Sequence, residues 1–377
     1  MKQFSYTTLI QKVRPIKLTM ILIFLFLVFI FELVLLVHIQ GRPKTFLDES
    51  GKPVEGSISE KIHLSINGAE QGMFIKGKDV NNPVLLYLHG GMPEYFLTGK
   101  YPTGLEDYFT IVWWEQRGSG LSFSATVPPE TLTLKQMISD TKEVTNYLRN
   151  RFKQDKIYLM GHSGGTFVGI QVASQAPELF HAYIGVAQMS NQLKSEILAY
   201  EYMLKKFREK GNKKMIRKLE AAPVTMASGT PDSYRKLRDE VMHSLGIGTT
   251  RDMNSVITGI FIPSLLCWDY TLFEKFNLWR GKSRSGISIL WSNMITTDLA
   301  TQVTELKIPV YFVGGIYDYT VSYVLAKDYF KKIKAPIKGF YTFEKSAHSP
   351  MFEEPKKMQQ IIREDILFGL NNLSDTQ

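Results

Sequence analysis

Cysteine is almost absent from this sequence, because Cys267 is the only one among 377 residues. One thiol cannot close a disulfide within the chain or supply the several thiolates of a structural metal site. The composition, 44% hydrophobic and 21% charged, is nevertheless that of a folded protein. These observations predict a globular chain without internal disulfides or a thiolate metal centre.

Motifs for nucleotides and nucleic acids are also missing. The segment 118–120, Gly-Ser-Gly, is too short for a dinucleotide fingerprint, and no P-loop is present. The formal net charge is +9, but the cations form no basic motif interleaved with aromatic residues. We therefore expect no cofactor, no metal and no nucleic-acid partner. Attraction to an anionic membrane surface explains the excess of cations more economically.

Acidic residues are missing from the first 17 positions, which carry four cations. Residues 18–39 then form an almost wholly apolar run in which Glu32 is the only formal charge. At 1.5 Å per residue, such a helix is about 33 Å long and could cross a hydrocarbon core of about 30 Å. We predict a single-pass anchor in the lipid bilayer, with a cytoplasmic N-terminus and an extracytoplasmic catalytic domain.

A cleaved secretory signal peptide is the alternative interpretation of this segment. The apolar run is longer than an ordinary signal-peptide core, however, and residues 37–41, Val-His-Ile-Gln-Gly, lack an A-x-A-like cleavage site. The sequence therefore favours an uncleaved membrane helix.

Short apolar runs alternate with helical patterns through most of the remaining chain. Two runs flank Asn67-Gly68, a strong hairpin signal. Thr133 and Gln136 resemble a capping box at the start of a helix reaching residue 152. The other predicted strands lie at 84–88, 109–114, 156–160, 183–187, 309–313 and 338–343. This alternation predicts an α/β fold with a mostly parallel sheet covered by helices on both faces.

The alternation stops between about residues 190 and 300, where helical patterns occur without a convincing strand. A helical insertion between two halves of a sheet is most simply a cap over the active site. The expected organisation is a basic tail, an anchor, a linker, a first core segment, a helical cap and a second core segment, at 1–17, 18–39, 40–56, 57–189, 190–300 and 301–372.

The segment 161–165, Gly-His-Ser-Gly-Gly, fits the G-x-S-x-G pattern of a nucleophile elbow. A predicted strand precedes it and a predicted helix follows it, which is the context that this turn requires. Two glycines allow the backbone to fold tightly, so Ser163 should project from the tip of the turn. Ser163 is therefore the candidate nucleophile.

A serine hydroxyl needs a base to take its proton, and the base needs an acid to orient it. Asp318 lies five residues beyond the strand that ends at residue 313, and His348 lies directly beyond the last strand. Functional groups collect at the carboxyl ends of parallel strands, and the chain order Ser163, Asp318, His348 is the order that this type of elbow uses. These three residues are the predicted catalytic triad.

A glycine pair follows the strand that should lie beside the elbow, in residues 89–93, His-Gly-Gly-Met-Pro. Glycines there let backbone N–H groups approach a substrate oxygen closely. We predict that the N–H groups of Gly91 and Gly164 form the oxyanion hole. His162 adjoins the nucleophile but should point away from the elbow, in a structural role.

Together these motifs resemble the α/β-hydrolase superfamily, and within it the branch of prolyl iminopeptidases, which remove an N-terminal proline. The resemblance covers about residues 55–190 and 300–370. The chain departs from three patterns of that branch. Where the branch has HGGPG, residues 89–93 read His-Gly-Gly-Met-Pro, and Glu115 replaces the aspartate of DQRGxGxS. His162 and Gly164 differ from the branch pattern GGSWG. In that branch, acids of the cap grip the free amine of the substrate. Acids available here include Glu196, Glu201 and Asp269.

We therefore expect a membrane-anchored serine hydrolase that cleaves an ester or amide through an acyl-enzyme. An aminopeptidase like the prolyl iminopeptidases would act on a short peptide. A carboxylesterase or lipase-like enzyme, acting on another small molecule, is the alternative. A non-catalytic binding protein on the same fold is the third possibility, and the complete triad argues against it. Serine at the elbow also disfavours dehalogenase and epoxide hydrolase chemistry, which uses aspartate there.

Overall fold

The structure, a computed structural model, describes residues 19–33, 41–285 and 289–375. Within them eight strands form one sheet: β1 (Ile58–Ile66), β2 (Ala69–Gly77), β3 (Val84–Leu88), β4 (Thr110–Trp114), β5 (Ile157–His162), β6 (Phe180–Val186), β7 (Val310–Gly315) and β8 (Lys338–Phe343). Their spatial order is β1-β2-β4-β3-β5-β6-β7-β8. Only β1–β2 and β2–β4 pair antiparallel, while β4, β3 and β5 to β8 run parallel.

Helices connect and cover these strands. A first helix, α1, occupies residues 19–33. The others are α2 (Leu134–Phe152), α3 (Gly164–Gln175), α4 (Gln192–Glu209), α5 (Lys213–Glu220), α6 (Asp232–Ser244), α7 (Ile262–Leu266), α8 (Leu272–Ser285), α9 (Ile289–Thr296), α10 (Leu299–Gln302), α11 (Tyr323–Lys332), α12 (Pro350–Glu353) and α13 (Pro355–Glu364). A π-helical turn, Ile257–Phe261, leads directly into α7.

The sheet is apolar on both faces, as a parallel sheet between helices must be. Alternate residues of a strand enter opposite clusters: Leu86 belongs to the core on one face and Tyr87 to the core on the other. The same alternation separates Leu159 from Met160 on β5. The predicted α/β architecture is confirmed, and it brings the carboxyl ends of β3, β5, β7 and β8 to one edge.

The hairpin between β1 and β2 turns at the predicted dipeptide. Asn67 has φ 47° and Gly68 has φ 74°. Two successive left-handed residues define a type I′ turn, whose twist matches that of the flanking strands. The sequence signal and the backbone therefore agree here.

The start of α2 differs in part from the predicted capping box. Thr133 is the N-cap, and its hydroxyl accepts the backbone N–H of Gln136 at 3.2 Å. The Gln136 side chain does not return to the cap but donates to Asp140 at 2.8 Å. Asp140 is fully buried and ion-paired to Arg117, so it attracts the Gln136 amide more strongly than an exposed backbone group does.

Helices α4 to α10 lie between β6 and β7, and the described residues of this region form no strand in the sheet. The short helix α5 was not predicted from sequence. The cap has an apolar core of its own, which includes Met203, Leu219, Tyr234 and Met242. This separate core keeps the cap folded above the edge of the sheet that carries the candidate site.

The predicted anchor falls only partly on described residues. Helix α1 covers 19–33 with its side chains exposed, whereas the other residues of the predicted 18–39 span lie outside the described part. Across the described residues, we find no helix with both the length and the apolar character needed to cross a membrane.

Candidate active site

Ser163 occupies a sharp turn between β5 and α3. Its backbone has φ 55° and ψ −124°, a conformation that residues with a side chain rarely adopt. A Cβ on Gly165 would lie 2.0 Å from the carbonyl oxygen of Leu88, and a Cβ on Gly161 would lie 2.7 Å from the carbonyl oxygen of Gly165. Only glycine fits at these two positions, because any Cβ would clash with a backbone carbonyl. The motif therefore has the geometry of a nucleophile elbow.

Asp318 and His348 meet beyond the ends of β7 and β8. The Asp318 carboxylate oxygen Oδ2 lies 2.9 Å from His348 Nδ1. The other oxygen accepts the backbone N–H groups of Thr320 and Val321, each at 2.9 Å. Both side chains are buried, so the acid is held rigidly and its hydrogen bond directs the Nδ1 proton toward it. His348 Nε2 is then the nitrogen available for proton exchange.

The side chain of His162 links the elbow to the backbone of the His348 loop. His162 Nε2 lies 2.8 Å from the carbonyl oxygen of His348, and the two imidazole rings are 4.8 Å apart between centroids. Among the described residues, no hydrogen bond links the Ser163 hydroxyl to the His348 ring. Catalytic hydrogen bonds often tighten only around a bound substrate.

Within the Gly-Gly pair, Gly90 approaches Ser163 more closely than the predicted oxyanion donor Gly91 does. A Cβ on Gly90 would lie 2.8 Å from Ser163 Cβ and 3.3 Å from the Gly164 nitrogen, whereas a Cβ on Gly91 would meet nothing within 4 Å. Gly164 is the first residue of α3, where backbone N–H groups have no partner within the helix. The sequence singled out the Gly-Gly pair and favoured Gly91 as the donor, whereas the tight contact with Ser163 belongs to Gly90.

His89 holds this glycine loop against the turn after β4. Its Nε2 accepts the backbone N–H of Gln116 at 3.1 Å, and its Nδ1 lies 2.9 Å from the carbonyl oxygen of Gly90. Burial lowers the pKa of His89 to about 4, so this ring is neutral at physiological pH. The first residue of the motif therefore fixes the loop and stays uncharged.

Glu115, which replaces an aspartate of the family pattern, joins the sheet to the cap. It accepts a hydrogen bond from the Tyr270 hydroxyl and another from the backbone N–H of Leu121 at 2.5 Å. Burial raises the pKa of this carboxyl to about 8. Both hydrogen bonds give this side chain a structural role.

The acids that the family resemblance offered as amine ligands are largely occupied. Glu196 is fully buried, 2.7 Å from Arg238 Nε, and also accepts the Tyr234 hydroxyl at 2.9 Å. Asp269 accepts the Tyr95 hydroxyl at 2.5 Å. Glu201 is exposed on α4. The ion pair of Glu196 with Arg238 lies inside the cap and not at its surface.

A small cavity of about 50 Å³ borders the elbow. Its walls include Gly90, Gly164 and Gln116 from the core, and Leu290 and Met294 from α9 of the cap. A larger surface depression of about 640 Å³ lies near α11 and β8 and contains none of the candidate residues. The cavity at the elbow is therefore the relevant one, and its cap side is apolar.

A protein-family model for the alpha/beta hydrolase fold matches residues 83–355. The chain belongs to the α/β-hydrolase family. The protein is a hydrolase, either a peptidase or an esterase.

Individual relatives confirm the resemblance to prolyl iminopeptidases. A probable aminopeptidase, YbaC of Bacillus subtilis (strain 168), is 33% identical over 80% of this chain and 95% of its own length. The structure of a proline iminopeptidase-related protein from Thermus thermophilus aligns with TM-score 0.55 and 18% identity, covering 81% of this chain and 96% of that one. Proline iminopeptidase from Mycobacterium smegmatis aligns with TM-score 0.56 and 11% identity, covering 80% and 96%. At these identities the two structures show the shared fold alone.

Proposed function

We propose that the chain is a serine hydrolase in which Ser163, His348 and Asp318 form the catalytic triad. The observation that carries the proposal is the hydrogen bond between buried Asp318 and His348 at the sheet edge where the strained Ser163 turn lies. His348 Nε2 removes the proton from Ser163 Oγ, which attacks the carbonyl carbon. The protonated imidazole then delivers that proton to the leaving group, and water later hydrolyses the acyl-enzyme by the same route.

The negative charge that develops on the carbonyl oxygen needs fixed donors. The backbone N–H groups of Gly91 and Gly164 supply them in this mechanism, aided by the positive end of the α3 dipole. Loss of one such donor typically costs about 3–4 kcal/mol of transition-state stabilisation. Asp318 contributes by holding the Nδ1 proton, so that Nε2 can act as the base.

For the substrate we propose the N-terminal residue of a short peptide, which makes the enzyme an aminopeptidase. The relative that supports this is the probable aminopeptidase that matches four-fifths of the chain. An ester is the second candidate, and two observations favour it. Glu196 and Asp269 already have buried partners, and Leu290 and Met294 make the cap side of the cavity apolar. A buried substrate ammonium requires a carboxylate to pair with. Whether a cap carboxylate is available to pair with it therefore decides between a peptide and an ester substrate.

Three substrates compared on one preparation separate the two activities. An aminopeptidase should hydrolyse a prolyl-naphthylamide and lose that activity when the amine is acetylated, because the acetyl group removes the charge that an acid would bind. The measurement is kcat/KM for the amide, its N-acetyl form and a short-chain naphthyl ester, with Ser163→Ala as the blank. Hydrolysis of the ester alone would overturn the aminopeptidase proposal.

We also propose that the chain is anchored in a membrane by its N-terminal apolar segment, with the catalytic domain outside the cytoplasm. Supporting it are the apolar run at 18–39 and the exposure of the apolar side chains on α1. The chain joins the domain at Gly41, whose N–H donates to the carbonyl of Trp268 at 2.8 Å. Beside that point the cap exposes an apolar surface: Ile257, Phe261, Ile262, Leu266, Trp268, Leu272, Phe273 and Phe276.

Exposed apolar groups next to a membrane tether can lie in the bilayer interface. Protease added to intact cells that express the full chain should therefore digest the domain and leave a cytoplasmic marker protein intact. Lysis before digestion provides the control for protease activity. Full protection in intact cells, or a mature N-terminus near Gly41, would contradict the proposed arrangement.

A further inference from the structure

His162 is a buried histidine whose two ring nitrogens both face oxygen atoms. The residue has no exposed surface. Its Nδ1 lies 2.8 Å from Oε2 of Glu94, and its Nε2 lies 2.8 Å from the carbonyl oxygen of His348. Sequence reasoning assigned this residue a structural role away from the elbow, and its contacts with the His348 loop give that role a definite form.

The chemistry of these partners determines the protonation state of the ring. A backbone carbonyl can only accept a hydrogen bond. Glu94 Oε2 already accepts the Tyr87 hydroxyl at 2.5 Å, and an ionised carboxylate has no proton to donate. A neutral imidazole would therefore aim one nitrogen lone pair at an oxygen lone pair. While Glu94 is ionised, both contacts are hydrogen bonds only when His162 carries two ring protons.

His89 provides a contrast within the same site. One of its nitrogens faces a backbone N–H, and the other faces a carbonyl, which suits a neutral ring. Burial lowers the pKa of His89 to about 4. For His162, burial also opposes the charge, but the Glu94 carboxylate and its hydrogen bond outweigh it and raise the pKa. The pKa values of two buried histidines near Ser163 thus shift in opposite directions because their partners differ.

We propose that the Glu94–His162 pair is a positioning device for the general base: a buried imidazolium whose Nε2–H holds the backbone carbonyl of His348, and whose second proton is retained by Glu94. The proposal rests on the proposed role of His348 as the base. His162 is a positioning residue, because it acts through the His348 backbone and not on the substrate.

The groups that face His162 all belong to this site. Glu94 and Tyr87 lie on its Nδ1 side, the His348 loop lies on its Nε2 side, and Asp318 and His89 contribute charge effects from further away. For Glu94, burial alone would raise the pKa, but the charge of His162 and the two hydrogen bonds lower it. His162 therefore keeps its second proton to a higher pH than an ordinary histidine does, and it is the first member of the pair to change as pH rises.

The sign of the pH effect follows from the raised pKa of His162. The stabilisation from its second proton is complete below the ordinary histidine pKa and is lost as pH rises through the raised value. After deprotonation the remaining proton should stay on Nδ1, because a hydrogen bond to a carboxylate is the stronger one. The Nε2 lone pair would then repel the His348 carbonyl, so the base should lose its position and kcat should fall on the alkaline side.

Glu94→Gln tests this by changing the charge and keeping the shape. A glutamine amide can donate to Nδ1, so a neutral His162 would carry its proton on Nε2 and still hold the His348 carbonyl. We expect Glu94→Gln to lose the alkaline decline in kcat that is assigned to His162. His162→Leu should lower kcat about 10- to 100-fold with little change in KM. An unchanged alkaline decline in Glu94→Gln would overturn the proposal.

Nuclear magnetic resonance of the full-length protein, labelled with ¹⁵N-histidine in detergent micelles, supplies a readout independent of activity. The signals that disappear in His162→Leu should show both ring nitrogens protonated at pH 7 in the wild type, and one protonated nitrogen in Glu94→Gln. A neutral His162 in the wild type would contradict the inference even if Ser163 were fully active. The large loss of kcat/KM expected for Ser163→Ala tests the triad separately, so the two failures can be told apart.

Discussion

Ser163→Ala should lower kcat/KM on an activated ester by about 10⁴- to 10⁶-fold, and His348→Ala should do the same. Each substitution removes one half of the proton transfer that makes the hydroxyl nucleophilic. The double variant should be no slower than either single variant, because the two residues act as one unit. Asp318→Asn should lower kcat/KM by about 10⁴-fold, because the amide no longer favours the His348 tautomer with its proton on Nδ1.

Asp298→Asn is the matched control for the acid. Asp298 caps α10 near the end of the cap, where its carboxylate accepts the backbone N–H of Ala300 at 3.1 Å, and it does not follow a strand of the sheet. Asparagine is an equally good N-cap, so activity and thermal unfolding temperature should stay near wild type. If Asp298→Asn lost activity and Asp318→Asn retained it, Asp318 would be the wrong acid.

Gly90→Ala should lower kcat by about 10²-fold, while Gly91→Ala should change it little. The methyl group at position 90 would lie 2.8 Å from Ser163 Cβ and 3.1 Å from Ser163 Oγ, so the nucleophile must shift. A displacement of about 1 Å at the reacting atom can cost about 10²-fold in rate. At position 91 the methyl group has open space, and the backbone N–H assigned to the oxyanion hole is kept.

This pair of variants is informative because the two glycines are adjacent and neither has a positive φ. Alanine therefore introduces no backbone strain at either position, and the difference reports the contact with Ser163. Steady-state kinetics with circular dichroism as a check of folding measures the effect. Equal losses in the two variants would show that the tight contact at Gly90 does not position the nucleophile.

Features encoded in adjacent residues could be predicted from the sequence. Asn67-Gly68 predicted the hairpin because a type I′ turn requires two successive residues with positive φ, which asparagine and glycine adopt readily. The turn around Ser163 was equally local, since a strand, two glycines and a helix define it. The pairing of Asp318 with His348 followed from a general rule that the ends of parallel strands meet at one edge.

Contacts between distant residues could not be predicted in this way. Glu94 and His162 are 68 positions apart, and His162 and His348 are 186 apart, so no periodic pattern links them. The buried pair of Glu196 and Arg238 was missed because charges on an amphipathic helix ordinarily face solvent. Its partners, the Tyr234 hydroxyl among them, are set by how α4 and α6 pack inside the cap.

Labelling with a fluorophosphonate probe tests the central proposal most directly. The probe reacts with a serine hydroxyl only where a base activates it and an oxyanion site stabilises the adduct. We predict one covalent adduct on Ser163, identified by mass spectrometry of the peptide that contains it, absent in Ser163→Ala and strongly slowed in His348→Ala. A folded, full-length protein that remained unlabelled, or that carried the adduct on another residue, would contradict the account.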